Sequence, residues 1–335
     1  MKKSLIALAV LATTGAAMAQ SSVELYGRLD ASLASKSTKV NGVKDYATAG
    51  ATKTGIDASN LNTTFWGLRG TEDLGGGLKA IFKLESNFNI DDGSLDTTGM
   101  FAREANVGLS GGFGTVKLGR SSTAYDALIS ATNHTWNSNI NVTGGVFGTG
   151  LAAFTSRHSN SVVYESPVFG GVSGSVSYGF GENKTATASA ADIVSMQVRY
   201  TDGPLLVGLG HQIQESQTAA DLKYTLVAGS YNFGPAALTG SYQTTKQSAA
   251  KDKEYQIGVT VPMGAFAFSV GYADSEAKTA AGVKLDGSGY ALAGTYNLSK
   301  RTTVYVGYES TKVESAGGAT TTKVTNLAAG VRHTF

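Results

Sequence analysis

The chain has 335 residues, of which 43 are glycine, four proline and none cysteine. The lack of cysteine excludes disulfides, thiolate zinc centres, iron–sulfur clusters and cysteine nucleophiles. Charged residues make up 16%, the formal charge is +2 and no basic block stands out, which excludes a nucleic-acid-binding surface.

The chain starts like an export leader. Lys2 and Lys3 form a positive start, Leu5 to Leu11 a short apolar run, and Ala17-Met18-Ala19 a small-x-small site before a cut. The apolar run is too short to span a bilayer, so a signal peptide is expected at 1–19 and a β-domain at 20–335. No cysteine follows the cut, so lipid attachment is not expected. Losing Lys2 and Lys3 leaves as many basic residues as the 25 acids, so any charge selectivity must come from where charges sit. No later stretch reaches the length and apolarity of a transmembrane helix. A soluble periplasmic protein, a secreted protein and an outer-membrane barrel all remain open at this point.

From there on, hydrophobicity alternates with period two, the mark of strands. Within 78–85, Leu78, Ala80, Phe82 and Leu84 share one face, with Lys79, Lys83 and Glu85 on the other. Phe266, Phe268, Val270 and Tyr272 oppose Ala265, Ala267, Ser269 and Gly271. Val304, Val306 and Tyr308 oppose Thr303, Tyr305 and Gly307. Leu327, Ala329, Val331, His333 and Phe335 share a parity. Tight connections fall at 72–76, 110–112, 167–171, 201–204, 234–235, 262–264 and 298–300. Longer polar ones fall at 34–60, 89–99, 121–156, 181–191, 214–221, 244–253, 274–286 and 314–320. Seven tight turns and eight long loops predict sixteen strands, with short turns on one rim and long loops on the other. A soluble sandwich or solenoid shows the same alternation. Here, however, the second face is mostly Gly, Ser, Thr or charged, as a wet lumen requires. The first face carries Phe, Tyr and Leu at strand ends, as a lipid-facing band requires. Lipid also forbids open strand edges, so the sheet must close, last strand on first.

Several stretches resemble the Gram-negative general porins. Val23 to Asp30 (VELYGRLD) is similar to their first strand, and Trp66 to Ala80 (WGLRGTEDLGGGLKA) to their second hairpin. Phe101-Ala102-Arg103, Val107-Gly108-Leu109 and Phe113 to Arg120 (FGTVKLGR) resemble the next strands. Tyr125-Asp126-Ala127 opens a long loop like the family's third. Arg157, Asn160-Ser161, Tyr164, Ser166-Pro167 and Gly171 resemble the strand that follows, and Val331 to Phe335 the terminus. The resemblance implies an all-β, 16-stranded antiparallel transmembrane β-barrel with its long third loop folded into the lumen. It implies a homotrimer in the outer membrane, in contact with lipid and lipopolysaccharide, passing small hydrophilic solutes and ions. It also implies that the barrel-assembly machinery reads the terminal aromatic Phe335. No enzyme activity, cofactor, metal or nucleic-acid partner is expected.

A wide aqueous tube needs something to narrow it. Segment 121–156 is the outlier among the connections, and structureless loops longer than ~15 residues usually carry function. Its Asn and Gly residues suit a loop laid on a wall, and Leu128, Ile129, Trp136, Ile140, Val146 and Phe147 can pack it. By resemblance, Arg28, Arg69, Arg120 and Arg157 lie on the lumen side at or near the narrowing. Parity agrees for Arg69, since Trp66 and Leu68 fall on the other face. Parity disagrees for Arg120, which shares the phase of Val116 and Leu118; a bulge at the strand end would reconcile it. Asp126, the one acid in 121–156, is the candidate opposing charge. Thr143-Gly144-Gly145-Val146 stands where some porins carry Pro-Glu-Phe-Gly, so an acid is missing. Four arginines against so few acids predict a modest anion preference, because low-dielectric walls focus their field. Two further readings are a channel specific for phosphate or organic acids, and a barrel serving as adhesin or surface scaffold. His134, His158, His211 and His333 lack metal-ligand spacing, and Gly108 to Gly112 lacks the lysine of a phosphate loop. No nucleophile elbow occurs.

Overall fold

The computed structural model describes residues 22–48, 51–95, 99–132, 139–315 and 318–335. The expected signal peptide at 1–19, and His134 and Trp136 of the long loop, lie outside the described residues. Eighteen β-segments follow one another: β1 (Ser22–Val40), β2 (Val43–Lys44), β3 (Thr52–Ala58), β4 (Phe65–Gly75), β5 (Leu78–Asn87), β6 (Glu104–Gly111), β7 (Gly114–Ser122), β8 (Arg157–Glu165), β9 (Val172–Gly179), β10 (Ile193–Asp202), β11 (Leu205–Gln214), β12 (Leu222–Asn232), β13 (Ala237–Gln247), β14 (Ala250–Met263), β15 (Phe266–Lys278), β16 (Lys284–Asn297), β17 (Thr302–Glu314) and β18 (Thr321–Thr334). One helix, α1 (Ala124–Thr132), sits between β7 and β8.

Every pairing is antiparallel, and the sheet closes on itself. β1 pairs along one edge with β18, from Arg28↔Thr334 to Val40↔Thr322. Its other edge takes β4 over Ser22 to Arg28 and β3 over Ala31 to Ser37. β3 and β4 therefore act as one interrupted strand and β2 is a two-residue flap, so the wall has sixteen strands. Closure leaves no strand edge, which lipid demands. Gly27 and Phe335 exchange both backbone hydrogen bonds at 3.1 Å, fastening the last residue to the first strand.

The alternation sorts the two faces. Outward rows are apolar and open, as in Leu33, Val107, Val227, Phe268 and Leu327, whereas inward Ser195, Gln212 and Glu254 are buried. An apolar surface this continuous is stable only against lipid. Aromatic residues edge the band. Phe266 packs on Tyr296 near the short-turn rim, and Tyr290 and Tyr308 stack further along the strands. Six residues of β15 separate Phe266 from Tyr272, or about 20 Å of extended strand.

Three stretches expected as loops are strands. β1 runs on to Val40, and β3 occupies much of the rest of 34–60. β13 and β14 pair through 244–253 as far as Gln247↔Ala250. β15 and β16 pair through most of 274–286. The cause is solvation: past the bilayer the outward face meets water and carries polar residues such as Lys246 and Lys253, so the apolar alternation that marks a strand disappears while the hydrogen-bond ladder continues.

Candidate functional site

The site is built by loop 123–156 lying against one half of the inner wall. Helix α1 starts on Thr123, whose Oγ1 accepts the Asp126 N–H at 3.2 Å, a normal N-cap. Its first two N–H groups donate to wall serines, Ala124 to Ser177 at 3.2 Å and Tyr125 to Ser195 at 2.8 Å. Tyr125 and Leu128 are fully buried on Tyr224, Leu226 and Ala228 of β12. Gly208 makes the close approach possible, since a Cβ there would stand 2.6 Å from a Leu128 methyl.

The middle arm crosses to the far strands. Ile140, Val142 and Val146 bury against Ala273, Ala291, Ala293 and Ala328. The N–H groups of Asn139 and Ile140 donate at 3.0 Å to the carbonyls of Ser59 and Asn60, in the gap between β3 and β4. That gap is shaped by Asp30, whose carboxylate accepts the N–H of Leu61 at 2.9 Å and of Asn62 at 2.6 Å and the Tyr305 hydroxyl at 2.5 Å.

The returning arm hangs on two wall carboxylates of β14. Gly148 N–H donates to Glu254, and Leu151 N–H donates to Asp252 at 2.7 Å. Neither acid has a salt bridge among the described residues. Tyr224 Oη donates to the Ala152 carbonyl at 2.8 Å, and Gln212 to that of Thr155 at 3.0 Å.

The opposite wall, β4 to β8 with the start of β1, carries a cluster of cations. Arg28 donates from Nε to the Thr63 carbonyl at 2.9 Å, and its guanidinium lies 5.4 Å from the Phe65 ring centre. Arg103, just before β6, lies 4.9 Å from the same ring and pairs with Glu85 at 2.8 Å. Glu85 also accepts from Tyr26 at 2.6 Å and pairs with Lys83 at 2.8 Å. Glu104 accepts from Asn106 at 2.8 Å and from the Ser122 hydroxyl at 3.1 Å.

A cavity of about 320 Å³ lies where loop and cationic wall meet. Arg103, Arg157, Asp126 and Thr63 line it. Phe147, Phe154, Ile129 and Asn141 come from the loop, and Ser241, Gln243 and Gln256 from the wall behind it. The Arg157 guanidinium makes no hydrogen bond or salt bridge among the described residues, and its Nε is buried without a partner.

The five sequence-predicted residues are not one cluster. Arg157 and Asp126 share this cavity, and Arg28 is linked to it through the ring that it shares with Arg103. Arg69 sits nearer the short-turn rim in a separate cavity, paired with Glu24 at 2.8 Å. Arg120 lies where the β7–β8 register shifts between Gly119 and Ser121, which accounts for its broken phase. Its guanidinium donates to the Ala102 carbonyl and, at 3.0 Å, to the Ser159 hydroxyl. Asp126 lines the same cavity as Arg157 and Arg103. It lies within electrostatic reach of Arg157 and Arg103, and burial pushes its carboxyl up against their pull. Nor are acids scarce: Glu85, Glu104, Asp252 and Glu254 all face inward, supplied by the walls rather than the loop. Arg103 was missed as a site residue because it precedes its strand, outside the alternation.

Comparison with known proteins agrees with this architecture. The model of the Gram-negative porin family matches residues 4–316. Outer membrane porin protein 32 of Delftia acidovorans is 37% identical over the full length of both chains. A major outer membrane protein P.IB of Neisseria meningitidis serogroup B is 31% identical, also over the full length of both. Among solved structures, an anion-selective porin from Comamonas acidovorans superposes with a TM-score of 0.78 at 31% identity, covering 94% of this chain and all of that one. Vibrio cholerae OmpT shares the fold alone, with a TM-score of 0.71 at 17% identity over 94% of this chain and 98% of that one. The chain belongs to the Gram-negative porin family, and it is an outer-membrane porin whose water-filled barrel serves passive diffusion.

Proposed function

We propose that this porin prefers anions modestly, with loop 121–156 as its constriction and Arg28, Arg103, Arg120 and Arg157 as the charges that set the preference. In this reading the protein performs no bond chemistry. It works as a homotrimer after losing its leader at 1–19, is inserted by the barrel-assembly machinery, contacts lipid and lipopolysaccharide, and passes small hydrophilic solutes and ions.

The observation that carries the preference is the Arg157 guanidinium, which faces the cavity with no hydrogen bond or salt bridge among the described residues. A guanidinium is always charged and offers five donors. Between low-dielectric walls its field is focused on passing ions. Of the acids nearby, Asp126 lies within electrostatic reach of Arg157, whereas Glu85 is engaged by Lys83, Arg103 and Tyr26, and Glu254 by a loop N–H. The relative from Comamonas acidovorans, described as anion-selective, supports the same reading.

The test is the reversal potential in a planar bilayer under a potassium chloride gradient. The expected chloride-to-potassium permeability ratio exceeds one, and a potential of opposite sign overturns the preference. Arg28→Ala with Arg157→Ala shifts the ratio toward potassium. Arg69→Ala shifts it little, because Arg69 is exposed near the short-turn rim, where solvent and salt screen its charge. The 320 Å³ cavity, with cations beside Phe147 and Phe154, gives some support to a channel specific for phosphate or organic acids. Saturable block by one such anion at low concentration favours that second reading, and linear conductance favours the general pore.

A further inference from the structure

We infer that Phe65 is a positioning residue for charge selectivity, its one ring holding the guanidiniums of both Arg28 and Arg103 at the lumen wall. The inference builds on the reading of these arginines as selectivity charges.

The first observation is that Phe65 breaks the pattern of its own face. It shares the parity of Gly67, Arg69 and Thr71, the side that faces water, and a water-filled lumen has no need of an apolar ring there. It opens β4 immediately after the interruption that follows β3, directly opposite Arg28 in register.

The second observation is what the ring touches. Arg28 lies 5.4 Å and Arg103 4.9 Å from its centre. The Tyr26 ring meets Phe65 edge-on at 5.9 Å and 75°. Arg69 lies 4.6 Å from the Tyr26 ring, so two adjoining rings stand between Arg69 and the pair Arg28 and Arg103.

The physical reason is repulsion. Two guanidiniums brought to one place push each other apart, and only Arg103 has a carboxylate in contact, Glu85 at 2.8 Å. Arg28 has the Thr63 carbonyl, a neutral acceptor, at 2.9 Å. The negative face of an aromatic ring attracts a cation without adding a formal charge. A carboxylate in the same place would hold the arginines and also cancel their field, whereas a phenyl ring holds them and leaves the net charge of the pore intact. Charge can thus be concentrated at the wall without being neutralised.

The test substitutes the ring and reads ion selectivity. Phe65→Leu keeps apolar bulk without a π face, and Phe65→Trp keeps and strengthens the face. Barrels are first checked for heat-dependent migration in detergent gels, and Phe65→Met repeats the test should the leucine variant not assemble. Under a potassium chloride gradient, Phe65→Leu is expected to lower the chloride-to-potassium permeability ratio roughly twofold, the scale of one cation–π contact at a partly exposed site. Phe65→Trp is expected to keep the ratio. In an Arg28→Gln and Arg103→Gln background, Phe65→Leu is expected to change nothing further, because the ring acts only through those two side chains. A ratio that the arginine pair moves but Phe65→Leu does not, or a Phe65→Leu shift that persists without the arginines, overturns the inference alone. A ratio that the arginine pair itself fails to move removes the arginines from the proposed function, and the inference with them.

Discussion

The two halves of the inner wall use their acids differently. Only on the half made of β1 and β4 to β8 do wall acids pair with arginines, Glu85 with Arg103 and Lys83 and Glu24 with Arg69, beside Asp30 and Glu104, which accept backbone N–H groups. On the half that carries the loop, acids serve backbone: Glu254 and Asp252 accept the N–H groups of Gly148 and Leu151. One half thereby carries the cluster of guanidiniums. The other is left covered, its charges spent on fixing the loop in place. The lesson is that counting acids and bases around a pore predicts little, because a carboxylate bound to a loop amide and one paired with a lysine act on passing ions differently.

The sharpest way to break the division is to loosen the covered half. Leu128→Ala removes the buried anchor of α1 on β12. Large-to-small changes at such sites cost about 2–5 kcal/mol. Here the loss falls on loop docking, because barrel closure does not depend on it. The expected outcome is noisier single-channel current and faster cleavage of the loop by an added protease, with the barrel still migrating as folded before heating. Quiet current from such a variant would mean that the polar contacts alone hold the loop. A smaller effect is expected from Asp252→Ala combined with Glu254→Ala. Hydrogen bonds to charged groups contribute about 1.5–3 kcal/mol each, offset by the relief of two buried carboxylates. Liposome swelling should then admit larger sugars than the parent does, while reversal potential changes less than in the Arg28→Ala and Arg157→Ala variant. If reversal potential moves more than sugar size, those acids belong to the ion path and the contrast between the halves fails.

How far the sequence discloses this arrangement depends on where lipid is. Along 266–272 and 304–308 one face meets hydrocarbon and the other the barrel interior, so the alternation is strong and the faces are read correctly. Above the bilayer it fades, and 244–253 reads as a loop. That stretch contains Asp252, and Glu254 adjoins it, so the same loss of signal hides the loop's anchor as well as the strand. The anchor is also invisible to any local pattern, because Gly148 and Glu254 lie 106 residues apart. Arg120 shows a different limit: its parity is wrong for the lumen, and only the register shift beside it explains why. Arg157 and Asp126 do converge on one cavity, since α1 begins directly after β7 and β8 returns beside it.

That adjacency gives the smallest and most specific prediction. Burial pushes the Asp126 carboxyl up, while Arg157 and Arg103 pull it down without fully restoring the ordinary value. A raised carboxyl takes up its proton at a higher pH than ordinary aspartates as a solution is acidified. Protonation removes one negative charge from beside two guanidiniums, so the local field becomes more positive. The sign follows: the chloride-to-potassium permeability ratio rises on acidification, and begins to rise above the usual aspartate range. Asp126→Asn fixes the neutral state. It should raise the ratio at neutral pH toward the acid-side value of the parent and flatten the first part of the pH profile. Exposed acids such as Asp45 and Asp92, held below the ordinary value by hydrogen bonds in their turns, titrate later and lie in other loops. A profile that keeps its first step in Asp126→Asn would assign that step to another carboxylate. It would also mean that the cationic half of the wall is tuned by its strands alone, with no contribution from the loop's one acid.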